Sequence, residues 1–172
     1  NRVREAIRRR ATEVCLQGGI HPKFDGNYYL DVIKAIRKVS PDIHIHAFSP
    51  LEIFQGAQTL GLTLEEYLPI LEEAGLNSLP GTAAEILHDD VRDIICPDKL
   101  NTAEWLSVMD AAHSCGLNST ATIMFGHVET YDHIAEHLIN IKNQQIKSGG
   151  FTEFVPLPFV AHEAPMSLRG QS

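Results

Sequence analysis

Short apolar runs alternate with longer stretches of helical periodicity along the whole chain. The apolar runs predict five strands, at 11–18, 43–48, 76–79, 117–125 and 151–159. Between the first two, apolar residues recur three and four positions apart, at Tyr29, Val32, Ile33 and Ile36, as in an amphipathic helix. Patterns of this kind predict helices at 28–39, 51–60, 64–74, 83–95, 102–115 and 132–147, the fourth interrupted near 88–90.

Some helix ends carry their own signals. Thr63 precedes the 64–74 helix and Glu66 follows three residues later, which is the arrangement of a capping box. Gly75 and Gly116 stand where two helices should end, since glycine readily adopts the left-handed backbone found there. These signals support the predicted boundaries.

The order of the elements favours a parallel α/β fold. Strands separated by helices of this length lie parallel and are joined by right-handed crossovers. Five such units form either most of a barrel or an open doubly wound sheet. We predict an α/β fold, a partial TIM-type barrel of parallel strands alternating with helices, in one domain or part of one.

The composition argues against two classes of partner, nucleic acids and membranes. The chain is 44% hydrophobic and has a net charge of −8. An acidic protein is poorly suited to broad nucleic-acid binding, which needs lysine and arginine to displace counterions. No run approaches the roughly 18 apolar residues of a membrane-spanning helix. We therefore expect neither a nucleic-acid partner nor a membrane anchor.

The cysteines indicate the redox environment of the protein, and the chain ends indicate that it is part of a longer chain. Cys15, Cys96 and Cys115 are odd in number and widely spaced, which supports neither a disulfide framework nor a self-contained zinc site. A reducing, cytoplasmic location fits best. The chain opens within a helical pattern and stops without a closing element, so we expect both ends to be cut from a longer chain.

Glycines and polar residues follow the predicted strands. In parallel α/β folds, ligands bind at the carboxyl ends of the strands. The residues of interest are Gln17, Gly18 and Gly19 after the first strand, Ser49 after the second, Thr82 and Glu85 after the third, Gly126 and His127 after the fourth, and Glu153 in the fifth. This repetition predicts a functional site.

The Gln17-Gly18-Gly19 segment has two interpretations. It is either a tight turn that uses the conformational freedom of glycine, or a place where the backbone approaches a ligand. It matches neither GxGxxG nor a P-loop, so a nucleotide fingerprint is not indicated.

His44 and His46 lie on one face of the second strand because strand side chains alternate. The pair is similar to two zinc ligands on one strand, and His127 and Glu153 are available to complete a set. A metal-dependent hydrolase is therefore one alternative. His113, His133 and His137 fall on predicted helices, where solvated or packing roles are expected.

Gly81 to Glu85 is predicted to open a helix. Its free amides then form an anion seat, or Thr82 is simply the cap of an ordinary helix. Arg92 lies two turns further on. It pairs with Glu85 at the surface, the interpretation we favour, or reaches a substrate carboxylate.

Taken in order, the strand-end segments resemble the radical S-adenosylmethionine (SAM) enzymes of deazaflavin biosynthesis over essentially the whole chain. The segments are QGGIHP at 17–22, HAFSP at 46–50, LPGTAAEI at 79–86, MFGHVE at 124–129 and GGFTEFVPLPF at 149–159. The resemblance implies a barrel whose first strand is followed by a CxxxCxxC loop, with three thiolates on a [4Fe–4S] cluster and one iron left for SAM.

The sequence does not contain that motif. We therefore expect residues 1–172 to be a fragment of a single radical SAM barrel domain, with the first strand and the cluster loop upstream. The fragment alone is expected to be inactive. The resemblance also leaves room for a companion radical SAM subunit or a fused second domain.

The resemblance implies roles for individual residues. Gln17, Gly18 and Gly19 correspond to the segment that contacts the SAM amino group. The other implied SAM contacts are Ser49, Thr82 and Glu85 at the ribose or carboxylate, Arg92 at the carboxylate, and Gly126 near the adenine. His46, His127 and Glu153 are implied to hold the substrates.

The implied activity is a transferase reaction. A 5′-deoxyadenosyl radical from SAM abstracts hydrogen from L-tyrosine, and the resulting 4-hydroxybenzyl group joins 5-amino-6-(D-ribitylamino)uracil. The protein's part is to orient these groups and exclude water. The alternatives are an enzyme similar to aminofutalosine synthase of menaquinone biosynthesis, the hydrolase using His44 and His46, and a non-enzymatic remnant or structural half.

Overall fold

The computed structural model describes residues 1–160, which form helices and strands in alternation. The helices are α1 (Arg2–Arg8), α2 (Gly26–Arg37), α3 (Pro50–Leu60), α4 (Leu64–Ala74), α5 (Asp89–Ile95), α6 (Thr102–Ser114) and α7 (Tyr131–Ser148). The strands are β1 (Glu13–Leu16), β2 (His44–Ala47), β3 (Ser78–Leu79), β4 (Asn118–Phe125) and β5 (Phe151–Pro158). All five predicted strands are present, and β1, β2 and β3 are each at least two residues shorter than expected.

The strands form one sheet in the order of the chain. Each strand is parallel to its neighbours, and the order is β1-β2-β3-β4-β5. When strands follow one another in sequence, right-handed crossovers place every connecting helix on the same face. A doubly wound sheet instead reverses its strand order and carries helices on both faces. The structure therefore confirms the partial barrel over the open sheet.

One face of the sheet is covered by helices and forms the hydrophobic core. Ile45, Ala47, Leu79 and Ala121 lie on this face and are almost completely buried. They belong to one core cluster with large side chains of the helices, including Tyr29, Tyr67, Leu71, Trp105 and Met109. Burial of this continuous apolar cluster is the main force that holds the helices on the sheet.

The other face, which we call the open face, is polar. Glu13, Cys15, His44 and Asn118 alternate with the buried positions and are exposed. A packed TIM barrel fills its interior with layers of branched apolar side chains. The residues on the open face are instead hydrogen-bonding groups, which suit a ligand better than a dry core.

The helix ends follow the sequence signals. Thr63 and Glu66 form the predicted capping box, and Gly75 ends α4 in the left-handed conformation, at a φ of 113°. None of the helices within residues 1–160 combines the length and the apolar character needed to cross a bilayer.

The prediction of a helix at 83–95 is wrong for its first half, because only Asp89–Ile95 is helical. Glu85 has a left-handed backbone with a φ of 48°. The Arg92 guanidinium binds the carbonyl oxygens of Ala84 and Ile86, so these groups are paired with a side chain instead of a helical turn. Thr82 is therefore not a helix cap, and no helix begins at Gly81 to provide an anion seat.

Candidate functional site

The loops after β1, β2 and β3 meet at one end of the sheet. Thr82 donates its hydroxyl hydrogen to Oε1 of Gln17 at 2.7 Å. The backbone N–H of Gly18 donates to Oε1 of Glu52, 2.8 Å away. These bonds join segments that are far apart in sequence, as expected where the carboxyl ends of parallel strands converge.

Glu52 is the residue that ties these loops together. It is only 1% exposed, and its second oxygen accepts hydrogen bonds from the backbone N–H and the hydroxyl of Ser49 at 2.8 and 2.7 Å. Ser49 is the N-cap of α3, so the same carboxylate completes a capping box and holds Gly18. We did not predict Glu52 as a site residue, although the Ser-x-x-Glu spacing was a visible signal.

A cavity of about 150 Å³, which we call the strand-end cavity, lies among these loops. Its walls are formed by Gln17, Gly19, Ser49, Leu51, Glu52, Ala83, Arg92, Lys99, Leu100 and Trp105. Nη2 of Arg92 and Nε1 of Trp105 are buried and have no hydrogen-bond partner within the described residues. Both residues line the cavity, so its wall contains two donors that are not paired within the described residues.

Arg92 is not the surface residue that we expected. It is 2% exposed, and its Nε donates to the carbonyl oxygen of Leu100 at 2.7 Å. The favoured surface pair with Glu85 is therefore wrong: Glu85 pairs with Lys99 instead, at 2.9 Å. Arg92 holds its own loop together and still faces the strand-end cavity.

The charges around the strand-end cavity have both signs. Arg92 and Lys99 supply positive charge, and Glu52 supplies a buried carboxylate. A ligand that carries both an ammonium and a carboxylate group complements this arrangement. The methionine part of SAM is such a group, so the residues present fit that part of the cofactor.

Gly126 and His127 form a turn after β4 that closes on itself. Gly126 has a left-handed φ of 96°. The Glu129 carboxylate accepts the N–H of both residues. Burial raises the pKa of Glu129, but these backbone donors outweigh it and hold that pKa below its usual value.

The His127 ring belongs to the same turn. Its Nδ1 lies 2.9 Å from both the backbone nitrogen of Val128 and Oε2 of Glu129, and its Nε2 lies 3.0 Å from the carbonyl oxygen of Met124. Both ring nitrogens are thus paired locally, and the structure places His127 apart from His46 and Glu153.

His46 and Glu153 share a second cavity, of about 300 Å³, on the open face. Glu153 lies in the amino-terminal half of β5, and Glu13 and His44 begin β1 and β2, whereas His46 is the third of the four residues of β2. Of these four residues, only His46 is close to a carboxyl strand end, where we expected the polar residues to gather. Burial is the largest influence on His46 and lowers its pKa. The predicted site residues therefore divide between two regions of the sheet.

His44 and His46, the histidine pair of the alternative metal-dependent hydrolase, both contact Ser78. Nε2 of His44 and Nδ1 of His46 each lie 2.7 Å from Oγ of Ser78. His127 does not complete a ligand set with them, because its ring is paired in its own turn. Within residues 1–160, no three histidine, cysteine or acidic side chains are grouped as metal ligands.

Comparison with known proteins gives the family. The model of the radical SAM superfamily matches residues 1–139. A protein of Methanothermobacter thermautotrophicus is 52% identical over 166 residues, which cover 96% of this chain and 45% of the relative. A protein of Methanocaldococcus jannaschii is 50% identical over 171 residues, which cover 98% of this chain and 48% of the relative. A protein of Archaeoglobus fulgidus is 50% identical over 160 residues, which cover 93% of this chain and 47% of the relative.

All three relatives bear the name 5-amino-6-(D-ribitylamino)uracil–L-tyrosine 4-hydroxyphenyl transferase. The chain spans about half of their length. The family match and the identities agree with the resemblance in the strand-end segments and with the partial barrel. The chain belongs to the radical SAM superfamily.

Proposed function

We propose that the protein containing these residues transfers the 4-hydroxybenzyl group of L-tyrosine to 5-amino-6-(D-ribitylamino)uracil, as the names of its relatives state for them. The observation that carries the proposal is the strand-end cavity. It lies where parallel barrels bind their ligands, and its charges complement an amino acid group. The similarity to tyrosine-using relatives favours this reaction over the one of aminofutalosine synthase.

SAM is the cofactor whose methionine part complements this cavity. We infer that Gln17, Gly18 and Glu52 receive its amino group, and that Arg92 and the Trp105 indole face its carboxylate. When bound, SAM supplies a 5′-deoxyadenosyl radical to the reaction. Gly19, Ser49 and Thr82 lie along the same loops and are proposed to contact the rest of the cofactor, with Gly126 in the turn after β4.

The residues of this chain do not fit a [4Fe–4S] cluster. Cys15 is exposed on β1, Cys96 is buried after α5, and Cys115 is half-buried after α6. Their spacing in the sequence is not that of the family's cluster loop. We propose that the cluster ligands belong to a part of the protein outside residues 1–172.

The chain's own residues position the reactants. Glu52 fixes the backbone of Gly18 and Ser49, and the Gln17–Thr82 hydrogen bond closes the loops of β1 and β3 over the cavity. Buried side chains such as Leu100 and Trp105 exclude water from its inner wall. Water exclusion protects a radical from side reactions.

We further propose a cytoplasmic location and a companion radical SAM subunit or fused domain.

The test is anaerobic turnover by the whole protein after reconstitution of its cluster. With SAM, a reductant, L-tyrosine and 5-amino-6-(D-ribitylamino)uracil, we expect 5′-deoxyadenosine and an adduct of the uracil with a 4-hydroxybenzyl group, both detected by mass spectrometry. Replacing tyrosine with phenylalanine is the matched control and should give no hydroxylated adduct. Formation of 5′-deoxyadenosine without any tyrosine-derived adduct would contradict the proposal.

A further inference from the structure

The cavity on the open face, which we call the open-face cavity, has an unusual lining. Its volume is about 300 Å³, and the nine residues around it are all polar. They are Glu13, His44, His46, Asn77, Ser78, Asn118, Thr120, Thr152 and Glu153. A pocket of this size lies at the lower end of the range for small-molecule sites, but most such sites are lined by apolar side chains.

The charges of this cavity select against anions. Two of its lining residues, Glu13 and Glu153, carry carboxylates, whereas lysine and arginine do not contribute to the lining. The pKa of His46 is lowered, chiefly by burial, so this ring is neutral near pH 7. A phosphate or a free carboxylate is repelled here, while a neutral molecule rich in hydroxyl groups is not.

The hydrogen bonds of Ser78 give the two histidines complementary roles. Its single hydroxyl lies 2.7 Å from both rings, so it donates to one ring and accepts from the other. When both rings are neutral, one therefore has an N–H left for a ligand and the other has a bare nitrogen. A donor beside an acceptor matches two neighbouring hydroxyls, each of which gives one hydrogen bond and receives another.

We propose that the open-face cavity binds the ribityl chain of 5-amino-6-(D-ribitylamino)uracil. The inference rests on the proposed function and adds to it the place of one substrate. The ribityl chain is neutral and carries a row of hydroxyls, which the exposed Asn118, Thr152 and Glu153 are also able to bind. Tyrosine fits less well because its carboxylate would face Glu13 and Glu153.

The position along the strands is consistent with this assignment. Glu13, Cys15 and Gln17 follow one another at intervals of two, which is the repeat of one strand face. Four residues of extended chain, from the open-face cavity at Glu13 to the strand-end cavity at Gln17, span about 13 Å. A ribityl chain held at Glu13 would therefore lie within about 13 Å of the cavity proposed for SAM.

The test compares two uracils in the whole, cluster-reconstituted protein. One is the ribityl substrate, and the other is 5-amino-6-(methylamino)uracil, which keeps the ring but lacks the hydroxyls. Asn118→Ala and Glu153→Ala should each raise the KM for the ribityl substrate about three- to tenfold, the effect of one lost hydrogen bond. The KM values for SAM, tyrosine and the methylamino analogue should stay unchanged.

The matched control is Asn143→Ala, which removes the same amide from the exposed surface of α7 and should alter none of the four KM values. Asn118 and Glu153 are exposed, so their variants should fold, as thermal unfolding will verify. An equal rise in KM for both uracils, or a rise for tyrosine instead, would overturn the assignment.

Failure of the proposed function has a different signature. It appears as no tyrosine-derived product from the unsubstituted protein. Calorimetric titration with the ribityl substrate then tests the open-face cavity by itself. If the protein binds this substrate and Asn118→Ala weakens the binding, the cavity remains a polyol site. If the protein does not bind the substrate, the assignment of the cavity is overturned.

Discussion

Glu52 combines two tasks that usually fall to different residues. The capping box at the start of α3 and that at the start of α4 have the same form, with a glutamate at the third helical position. Glu66 is exposed and only caps its helix, whereas Glu52 is buried and also holds the N–H of Gly18. A comparison of Glu52 with Glu66 therefore distinguishes the stabilising role of a cap from a role in the strand-end cavity.

We predict that Glu52→Gln raises the KM for SAM about tenfold or more. Loss of a charge-assisted hydrogen bond costs about 1.5–3 kcal/mol, and the change also removes the negative charge proposed to face the SAM amino group. Glu66→Gln is the matched control and should leave that KM within about twofold. Equal effects of the two variants on SAM would show that Glu52 acts only as a cap.

The loop between β3 and α5 depends on a close approach of two backbones. The Gly81 N–H donates to Oγ1 of Thr120, and Thr122 donates its hydroxyl hydrogen back to the Gly81 carbonyl, both at 2.9 Å. A Cβ on Gly81 would lie 2.6 Å from the Cα of Ala121 and collide with the carbonyl oxygen of Thr120. These contacts leave no space for a side chain.

We therefore expect Gly81→Ala to lower the free energy of unfolding by about 2–3 kcal/mol, since backbone has to move. Gly18→Ala is the control at another strand end, where the nearest atom to a new Cβ is Oε1 of Glu52 at an ordinary 3.6 Å. It should change stability by less than about 1 kcal/mol. Urea unfolding of both variants measures the difference, and similar losses would contradict the steric argument.

The same loop shows where sequence patterns stop being informative. Helix α4 was predictable because Thr63, Glu66 and Gly75 act within a few residues of its ends. The residues before α5 have helical periodicity, yet Arg92 reaches back to the carbonyl oxygens of Ala84 and Ile86 and holds them outside a helix. Helical periodicity does not predict that a buried side chain will bind backbone carbonyls six and eight residues before it.

At the scale of the whole molecule, the sequence predicted the parallel barrel but not the separation of the site residues into different regions of the sheet. Alternation of helices and strands indicated a parallel barrel, and the strand ends were located by glycines and prolines. The sequence alone could not tell that His46 and Glu153 would share a cavity on the open face while His127 closed its own turn. Those placements depend on register between strands, which is set by tertiary packing.

Buried histidines make the stability of the whole molecule depend on pH. Desolvation by burial is the first cause for each of His46, His113 and His137, and it lowers their pKa values. His137 shows the largest effect: it is 0% exposed, its pKa falls to about 4, and Arg92 adds to the shift. Its Nδ1 accepts the N–H of Leu87 at 2.9 Å, as a neutral ring can.

The sign of the pH effect follows from proton uptake. Below the ordinary histidine pKa of 6.5, His137 binds a proton in the unfolded chain, but in the folded protein it stays neutral down to about pH 4. The free energy of unfolding should therefore fall on acidification by about 1.4 kcal/mol per pH unit from this residue alone. Well above pH 6.5 neither state is protonated and the effect disappears.

We predict that His137→Gln flattens this dependence. The glutamine carbonyl oxygen is able to accept the Leu87 N–H, but the side chain does not titrate, so the variant should lose about 2 kcal/mol less than the unsubstituted protein between about pH 7 and 5. Urea unfolding at about pH 7, 6 and 5 provides the comparison. The upper interval should differ least, because only its lower part lies below the pKa of an unfolded histidine. Parallel stability curves for the two proteins would show that His137 is protonated in the folded state, contrary to its burial beside Arg92.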